Sequence, residues 1–468
     1  MDCLKVAVAV LAAAGAASGQ WFFGCICSTD VSYATAYNNS HKLAAFEFSG
    51  MPGETLTLVF QSRDGVWSCL GVCNINRFEW TRPVMMYPGQ NPGIDKGPDG
   101  DRHLVWEFPD TSSGKRQVYY RNFEYRMAPL DVSQSRADAL HPDVWGDSAG
   151  IAHVVWEDYR FGKPAIYYRE CNENGTQSDT FRVSTTTTGC CFFPSIEYFS
   201  QGNEMVVVWQ QVDSASHVPY SIRRRSRVGG VWGSEVVLAT HAWPLRHPSL
   251  DRGSPGESFA CAWEDSSSGN MEAHFEGGNG GGYPTAARST RPVLAHVGST
   301  WSYLFWNENE HLGGGADIAC HLYYFMTGWR SGTLRGLLPI TEDVRHPNCL
   351  GATVVWTQGS TAPYKVMYSH FGYPVGVAER EEQEADGGLR CEPNPFRGRI
   401  AISLPLTANS QEGIRIYDTS GRCVRTLTVS GERSAVSVWD GADALGRPSP
   451  PGVYLVRCGS EVAQVVKY

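Results

Sequence analysis

Basic and acidic side chains recur at corresponding places along this chain. A histidine or arginine stands directly before a proline at His141, His247, Arg291 and His346. An arginine stands directly before two of these histidines, at Arg246 and Arg345. Carboxylates follow a tryptophan in the set Glu157, Asp158, Glu264 and Asp265. Arginine and histidine can bind the anionic and hydroxyl groups of a ligand. Two carboxylates at a controlled separation can hydrolyse a glycosidic bond. These residues are our candidate ligand-binding set, and no catalytic residue is assigned.

Metal and cofactor chemistry has little support in the sequence. Cys25 and Cys27 have no second Cys or His pair at zinc-binding spacing. The segment GPDGD at residues 97–101 hints at calcium but lacks the spacing of an EF-hand loop. No glycine-rich phosphate loop precedes a helix. We therefore predict no metal site and no cofactor.

The candidate residues belong to a repeat. An aromatic residue ends a hydrophobic segment in each of seven copies, at Phe60, Trp106, Trp156, Trp209, Trp263, Trp306 and Trp356. The copies recur about every fifty residues, which is typical of a repeat architecture. Each copy holds four short strand-like segments separated by turns. This pattern predicts an all-β fold, a seven-bladed β-propeller over residues 20–378, with the aromatic anchors packed between blades.

The last copy lacks a clear fourth strand, and the N-terminal segment offers one. Asp30-Val31-Ser32 matches Asp131-Val132-Ser133 of the second copy. We therefore predict that residues 22–32 pair as the outermost strand beside residues 365–370. Closing the ring in this way reduces the number of exposed sheet edges.

Blade topology places the candidate residues on one face of the propeller. The first strand of a blade lies nearest the axis and runs away from the face where it enters, and the second strand returns to that face. The His-Pro entries and the residues after each tryptophan should therefore surround the mouth of the central channel, where they would form a binding face. The alternative is that His-Pro is only the strand-entry signal of the repeat and that the carboxylates solvate loops.

The repeat pattern HP…G…VVWED…IYY resembles the sialidase-like and related propellers of secreted bacterial proteins, over roughly residues 21–378. That resemblance implies a secreted propeller, and it raises the alternative of a glycoside hydrolase. The full Asp-box S-x-D-x-G-x-x-W and the Arg-Ile-Pro motif of the catalytic sialidases are absent from the sequence. An enzyme is therefore the less favoured interpretation.

The two ends of the chain predict an exported protein. Residues 1–19 have one lysine, an apolar run and then small residues, which is typical of a secretory signal peptide; a buried helix is the alternative. No later stretch reaches the roughly 18 apolar residues of a membrane span. Residues 379–390 are rich in charged residues and contain Gly387-Gly388, as in a solvated linker. The mild net charge of −9 argues against nucleic acid as a partner.

Residues 391–468 show alternating apolar positions and turn sequences that predict a small β-sandwich. The motifs PNPF from Pro393, IYD from Ile416, WDG from Trp439 and GVY from Gly452 resemble the Ig-like domain of flagellar hook-capping proteins. They also resemble the C-terminal sorting domain of type IX secretion cargo. The resemblance implies recognition by bacterial secretion machinery and a secreted or cell-surface location. An inert stalk is the alternative.

Three functions remain open on the sequence alone. The leading hypothesis is a non-enzymatic, secreted or surface-displayed propeller that binds a glycan or a protein and carries a C-terminal sorting domain. The second is a secreted sialidase-like glycoside hydrolase that uses the same channel-mouth face. The third is a structural component of the cell envelope.

Overall fold

A computed structural model describes residues 21–371 and 390–467 of the chain, apart from short gaps. The gaps are 47–53, 64, 75–76, 126–127, 173–174, 176, 201, 214–217, 252–258, 277–280, 284–287, 298–300, 310–316, 325–327, 334–341, 352, 393–395, 406–413, 419–421, 428–433 and 459–460. The predicted signal peptide and most of the predicted linker lie outside the described residues. The chain divides into two compact units, residues 1–375 and 376–468.

The first unit is built of antiparallel sheets, which we call blades and number in chain order. The first strand of the chain, β1 (Trp21–Thr29), belongs to the last blade. Blade 1 holds β2 (Leu43–Phe46), β3 (Glu54–Ser62), β4 (Gly65–Asn74), β5 (Arg77–Trp80) and β6 (Val84–Pro88). Blade 2 holds β7 (Gln90–Lys96), β8 (Arg102–Pro109), β9 (Arg116–Asn122) and β10 (Leu130–Asp131). Blade 3 holds β11 (Ala139–Gly146), β12 (Ala152–Asp158), β13 (Ala165–Cys171) and β14 (Phe181–Arg182).

The remaining blades repeat this order. Blade 4 holds β15 (Gly189–Phe199), β16 (Glu204–Asp213), β17 (Tyr220–Val228) and β18 (Val231–His241). Blade 5 holds β19 (Leu245–Leu250), β20 (Cys261–Asp265), β21 (Glu272–Glu276) and β22 (Gly281–Tyr283). Blade 6 holds β23 (Arg288–Val297), β24 (Trp301–Asn309), β25 (Asp317–Tyr324) and β26 (Gly328–Thr333). Blade 7 holds β27 (Val344–Leu350), β28 (Thr353–Gln358) and β29 (Tyr364–Phe371), with β1 at its outer edge.

The innermost strands contact one another in a closed ring. Each of β2, β7, β11, β15, β19, β23 and β27 touches the next, and β27 touches β2. The prediction of an all-β propeller is therefore confirmed. Anchor aromatics pack against the preceding blade, as Trp156 does against Val105 and Tyr120, because apolar faces of neighbouring sheets must cover each other. Along the described part of the chain, no helix is long and apolar enough to cross a membrane.

The ring is closed by the N-terminal strand. β1 pairs antiparallel with β29, from Trp21 opposite Phe371 to Thr29 opposite Tyr364. The predicted closure is confirmed, although the strand ends at Thr29, so that the matching Asp-Val-Ser triplet lies just beyond it. Ile26 and Cys27 cover a core shared with Leu58 of blade 1 and Tyr368 of blade 7.

The second unit has two antiparallel sheets. One has the order β30 (Arg390–Glu392), β31 (Ile400–Pro405), β34 (Ser434–Trp439). The other has the order β33 (Cys423–Leu427), β32 (Ile414–Asp418), β35 (Gly452–Cys458), β36 (Glu461–Lys467). Both sheets contribute to one core around the fully buried Trp439, with Ile402 from the first sheet and Ile416 and Tyr454 from the second. The unit is a small β-sandwich whose first strand begins at Arg390, one residue before the predicted boundary.

Candidate functional site

The residue before each repeat proline lies in a bulge of the innermost strand. In blade 3, Leu140 pairs with Glu157 and Asp143 with Val155, so His141 and Pro142 stand outside the regular pairing. The equivalent residue has a left-handed backbone in six blades. These residues are Asn91 (φ 51°), His141 (50°), Phe193 (51°), His247 (49°), Arg291 (54°) and His346 (56°). Non-glycine residues adopt this conformation only rarely, so surrounding contacts must hold it.

The holding contact comes from the preceding blade. The residue directly after each aromatic anchor accepts a hydrogen bond from the backbone N–H of the bulge residue in the next blade. The pairs are Gln61 with Asn91, Glu107 with His141, Glu157 with Phe193, Gln210 with His247, Glu264 with Arg291 and Asn307 with His346, at 2.7–3.2 Å. We call these contacts the inter-blade latch. Because Gln, Asn and Glu side chains all act as the acceptor, the inter-blade latch requires a hydrogen-bond acceptor but not a negative charge.

Blade 1 departs from this pattern and fills the axis of the ring. Its backbone pairs at Ala34 with Gln61 and again at Lys42 with Val59, so seven residues, 35–41, stand where blade 3 has two. The segment of residues 35–42, which we call the axial plug, is buried along its length except for the half-buried Tyr37. Thr35 completes the latch, because its N–H donates to Thr357 Oγ1 at 3.2 Å.

The axial plug bonds to the innermost strands of six other blades. Asn38 Nδ2 donates to the carbonyls of His247 and Pro292, both at 2.9 Å. Asn39 Nδ2 donates to those of His141 and Pro194, at 3.1 and 2.9 Å. The remaining bonds run from Thr35 Oγ1 to the His346 carbonyl and from Ser40 Oγ and Lys42 Nζ to the Pro92 carbonyl. Burial lowers the pKa of Lys42 to about 7.

Three bulge residues, His141, Phe193 and Arg291, contact the Tyr37 ring, and two more, His247 and His346, contact Phe193 and Arg291. We call this group the axial mouth: Tyr37, His141, Phe193, His247, Arg291 and His346. The Tyr37 ring meets His141 edge-on with centroids 4.7 Å apart and lies 5.8 Å from Phe193. Phe193 in turn lies 4.7 Å from His247, and the Arg291 guanidinium sits 5.8 Å from the Tyr37 ring centre.

Two histidines of the axial mouth are held by buried glutamates. His141 Nδ1 lies 3.0 Å from Glu157 Oε2, and His247 Nδ1 lies 2.7 Å from Glu264 Oε1. Both carboxylates are nearly inaccessible, so Nδ1–H faces the carboxylate and Nε2 remains for the mouth. Burial alone would lower the pKa of His141, but the Glu157 charge and its hydrogen bond raise that pKa above its ordinary value.

The electrostatics of Glu264 do not suit a glycosidic acid. Burial raises its pKa, but the His247 charge, the hydrogen bond from His247 and that from the Arg291 backbone bring the pKa below its ordinary value. A general acid in glycoside hydrolysis needs a raised pKa. Its Oε1 atom instead accepts from the Arg291 backbone N–H and lies against His247 Nδ1.

Arg291 and His346 are the remaining pair of residues in the axial mouth. The Arg291 guanidinium contacts the His346 ring directly. Burial, together with Arg291, Arg345 and Lys42, lowers the pKa of His346 well below its ordinary value. His346 is therefore neutral at pH 7, while Arg291 keeps its charge.

Six of the ten predicted residues lie together in the structure, and the other four are Asp158, Arg246, Asp265 and Arg345. His141, Glu157, His247, Glu264, Arg291 and His346 converge at the axial mouth or directly support it. Asp158 instead accepts from the Trp156 indole at 2.9 Å and pairs with Arg160 at 2.6 Å. Asp265 accepts the Ser267 N–H at 2.8 Å within a turn, and Arg345 pairs with Asp343 at 3.0 Å. Arg246 lies on β19 opposite Glu264 and is half-buried.

Sequence reasoning missed Tyr37 and Phe193, and it missed the axial plug. Phe193 could have been found, because it occupies the His position of the repeat. For Tyr37, the only sequence signal is that the first copy lacks an X-Pro pair and has Tyr-Asn-Asn-Ser-His at residues 37–41 instead. Within the described ranges, no three His, Cys, Asp or Glu side chains converge as metal ligands would.

Comparisons with known proteins bear only on the fold of this chain. No family model and no curated protein matches the chain. The β-propeller domain of the Trilobed protease from Pyrococcus furiosus is 9% identical with a TM-score of 0.44, over 72% of this chain and 95% of its own. The polysaccharide lyase Uly1 is 8% identical with a TM-score of 0.46, over 73% and 92%. The endo-arabinase from Bacteroides thetaiotaomicron is 11% identical with a TM-score of 0.35, over 55% and 99%. Similarity at this level carries no information about function.

Proposed function

We propose that this chain is a secreted or cell-surface propeller protein that binds a glycan through its axial mouth, with a protein ligand as the competing possibility. The observation that supports binding is the cluster that bulge side chains from five blades form with Tyr37, three of them in direct contact with its ring. Because Nδ1 of His141 and of His247 faces a glutamate, the Nε2 atoms of both rings are left as hydrogen-bonding groups of this cluster, together with the Arg291 guanidinium. Such a ring of donors and acceptors beside aromatic surface suits a polyhydroxylated ligand.

The glycoside hydrolase alternative has weaker support. Glu107, Glu157 and Glu264, the glutamates nearest the axial mouth, each accept a latch hydrogen bond from a neighbouring blade. Glu157 and Glu264 are also bonded to a histidine. Carboxylates engaged in this way are not free to act as the acid and nucleophile of a hydrolase.

The binding proposal is tested with the full-length secreted chain on an array of neutral and acidic oligosaccharides. The double substitution His141→Ala and His247→Ala should abolish binding to any glycan that the unaltered chain retains. His241→Ala, at an exposed histidine outside the mouth, should leave binding unchanged. Equal binding by both variants would place the ligand elsewhere. An empty array would favour a protein ligand or a structural role in the envelope.

We further propose that the C-terminal sandwich is a sorting or anchoring domain read by secretion machinery. Its support is that a signal-like N-terminus and the PNPF, IYD, WDG and GVY motifs occur in the same sequence. Deleting residues 391–468 should leave a folded propeller in the periplasm of a host with type IX transport. Fractionation of the cells decides this. Normal surface or medium levels of the truncated chain would favour an inert stalk.

A further inference from the structure

Tyr37 contacts three residues of the axial mouth, His141, Phe193 and Arg291, without using its hydroxyl group. Among the described residues, nothing hydrogen-bonds the phenol, and its oxygen is not among the buried polar atoms that lack a partner. Burial, together with Glu107 and Glu157, raises the Tyr37 pKa against the opposing effect of Arg291 and Arg116. The phenol is therefore protonated at pH 7 and can donate to a ligand.

We propose that Tyr37 is a ligand-contacting residue and that Asn38 and Asn39 are its positioning residues, so that the axial mouth becomes a binding surface only when the axial plug is seated. This inference rests on the proposed function of the mouth. Beyond that function, it assigns a ligand contact to Tyr37 and states that the site forms only when the axial plug is seated.

The two asparagines fix the backbone directly after Tyr37. Asn38 Nδ2 donates its two N–H groups to backbone carbonyls of blades 5 and 6. Asn39 Nδ2 donates its two N–H groups to backbone carbonyls of blades 3 and 4. Both side chains are fully buried. Because a side-chain amide has only two N–H groups, each asparagine joins two neighbouring blades and cannot shift without losing both bonds. Four blades therefore set the position of Tyr37.

The carbonyl acceptors connect the plug to the mouth residues themselves. Asn38 bonds the carbonyl of His247, and Asn39 bonds that of His141. The same two residues present their imidazole rings to the mouth, and Tyr37 packs against His141. Seating of the plug thus fixes Tyr37 and the histidines around it through one set of bonds.

Ring closure and site assembly depend on the same stretch of chain. β1 closes blade 7 and ends at Thr29, and the axial plug begins six residues later. If the closing strand leaves β29, the covalently linked plug loses its anchor on that side. An open ring would then lack the central residue of the mouth, which couples closure to binding.

The positioning role is tested without a ligand by ¹⁹F NMR of the full chain carrying 3-fluorotyrosine at position 37. We expect one sharp resonance, which Asn38→Ala and Asn39→Ala should each broaden or split. Asn38→Ser and Asn39→Ser are milder replacements if an alanine variant fails to fold. The matched control is Asn122→Ala, since Asn122 is an equally buried asparagine at the end of β9 that bonds Asp101. It should lower stability but leave the ¹⁹F signal unchanged.

The contact role is tested by titrating the array's best oligosaccharide into the Tyr37→Phe variant. Loss of one hydrogen bond should weaken binding roughly tenfold, while the melting temperature stays the same. Unchanged affinity would overturn the contact role, and an unchanged ¹⁹F signal in folded Asn38 and Asn39 variants would overturn positioning. If the unaltered chain binds no glycan, the proposed function and the contact role both fail, whereas the ¹⁹F result still decides whether the plug positions Tyr37.

Discussion

At the residue scale, the position after each aromatic anchor has a structural task that its residue type conceals. Glu157 and Glu264 belong to the ligand-binding set predicted from the sequence, but Gln61, Glu107 and Gln210 occupy the same position in other blades. Each holds the N–H of a strained bulge residue in the next blade. The buried N–H needs an acceptor because leaving it unpaired is costly.

Glu107 gives a direct test of the latch. Its carboxylate accepts from the His141 N–H at 2.7 Å and from Asn91 Nδ2 at 2.8 Å. Glu107→Ala should therefore lower the free energy of unfolding by about 2–4 kcal/mol in a urea titration, since both donors lose their partner. Glu107→Gln should cost less, because it keeps an acceptor. The exposed Glu124, paired with Arg102, is the control, and Glu124→Ala should cost under about 1 kcal/mol. Equal losses in the Glu107→Ala and Glu124→Ala variants would contradict the latch.

At the scale of elements, the N-terminal segment has two tasks in sequence. β1 supplies the fourth strand of blade 7, and the axial plug then supplies polar side chains to the bore. Other blades need only a two-residue bulge at the corresponding place, as in blade 3. The extra length in blade 1 fills a channel that the seven innermost strands would otherwise leave around the axis.

Ile26 tests the contribution of the closing strand. It is partly buried against the core shared by blades 1 and 7. Ile26→Asp should destabilise the propeller by about 3 kcal/mol or more, because an unpaired carboxylate enters apolar surroundings. Hydrogen exchange should accelerate first in β29, the partner of β1. Ser28→Asp places the same charge at an exposed site on the same strand and should have little effect. Unchanged exchange in β29 after Ile26→Asp would show that β1 does not hold the ring.

At the scale of the whole molecule, the chain consists of two compact units with separate cores. Trp156 lies in a core formed by blades 2 and 3, and Trp439 lies in the core of the sandwich. Separate cores predict separate unfolding transitions. For the same reason, we predict that cutting the chain within residues 379–388 releases two pieces that each stay folded.

Calorimetry of the Trp439→Ala variant tests this independence. Trp439 is fully buried, and its indole donates to the Ala442 carbonyl at 2.8 Å. Its removal should cost the sandwich about 3–5 kcal/mol and lower only the transition of that unit. Trp156→Ala should lower only the propeller transition. A single transition, or a shift of both transitions in either variant, would contradict independent folding.

The sequence by itself determined the repeating architecture. Anchor aromatics at positions such as Trp106 and Trp156 recur because every blade must bury the same face against its neighbour, and such burial leaves a periodic trace in residue type. The closing strand was also predictable, because Asp30-Val31-Ser32 matches the end of a blade elsewhere in the chain. The sandwich followed from alternating apolar residues of the kind seen at Ile400 and Ile402.

Only the tertiary structure decided what the axis contains and which way the candidate residues face. Asn38 bonds carbonyls 209 and 254 residues away, and every residue has a carbonyl, so nothing in residue type indicates these partners. Glu157 and Asp158 are adjacent in sequence, but successive side chains of a strand point to opposite faces. One therefore supports the axial mouth, while the other bonds the Trp156 indole. Periodic burial leaves a pattern of residue types that the sequence shows. Hydrogen bonds from the axial plug to distant backbone carbonyls leave no such pattern, because they form only when the ring closes around the plug.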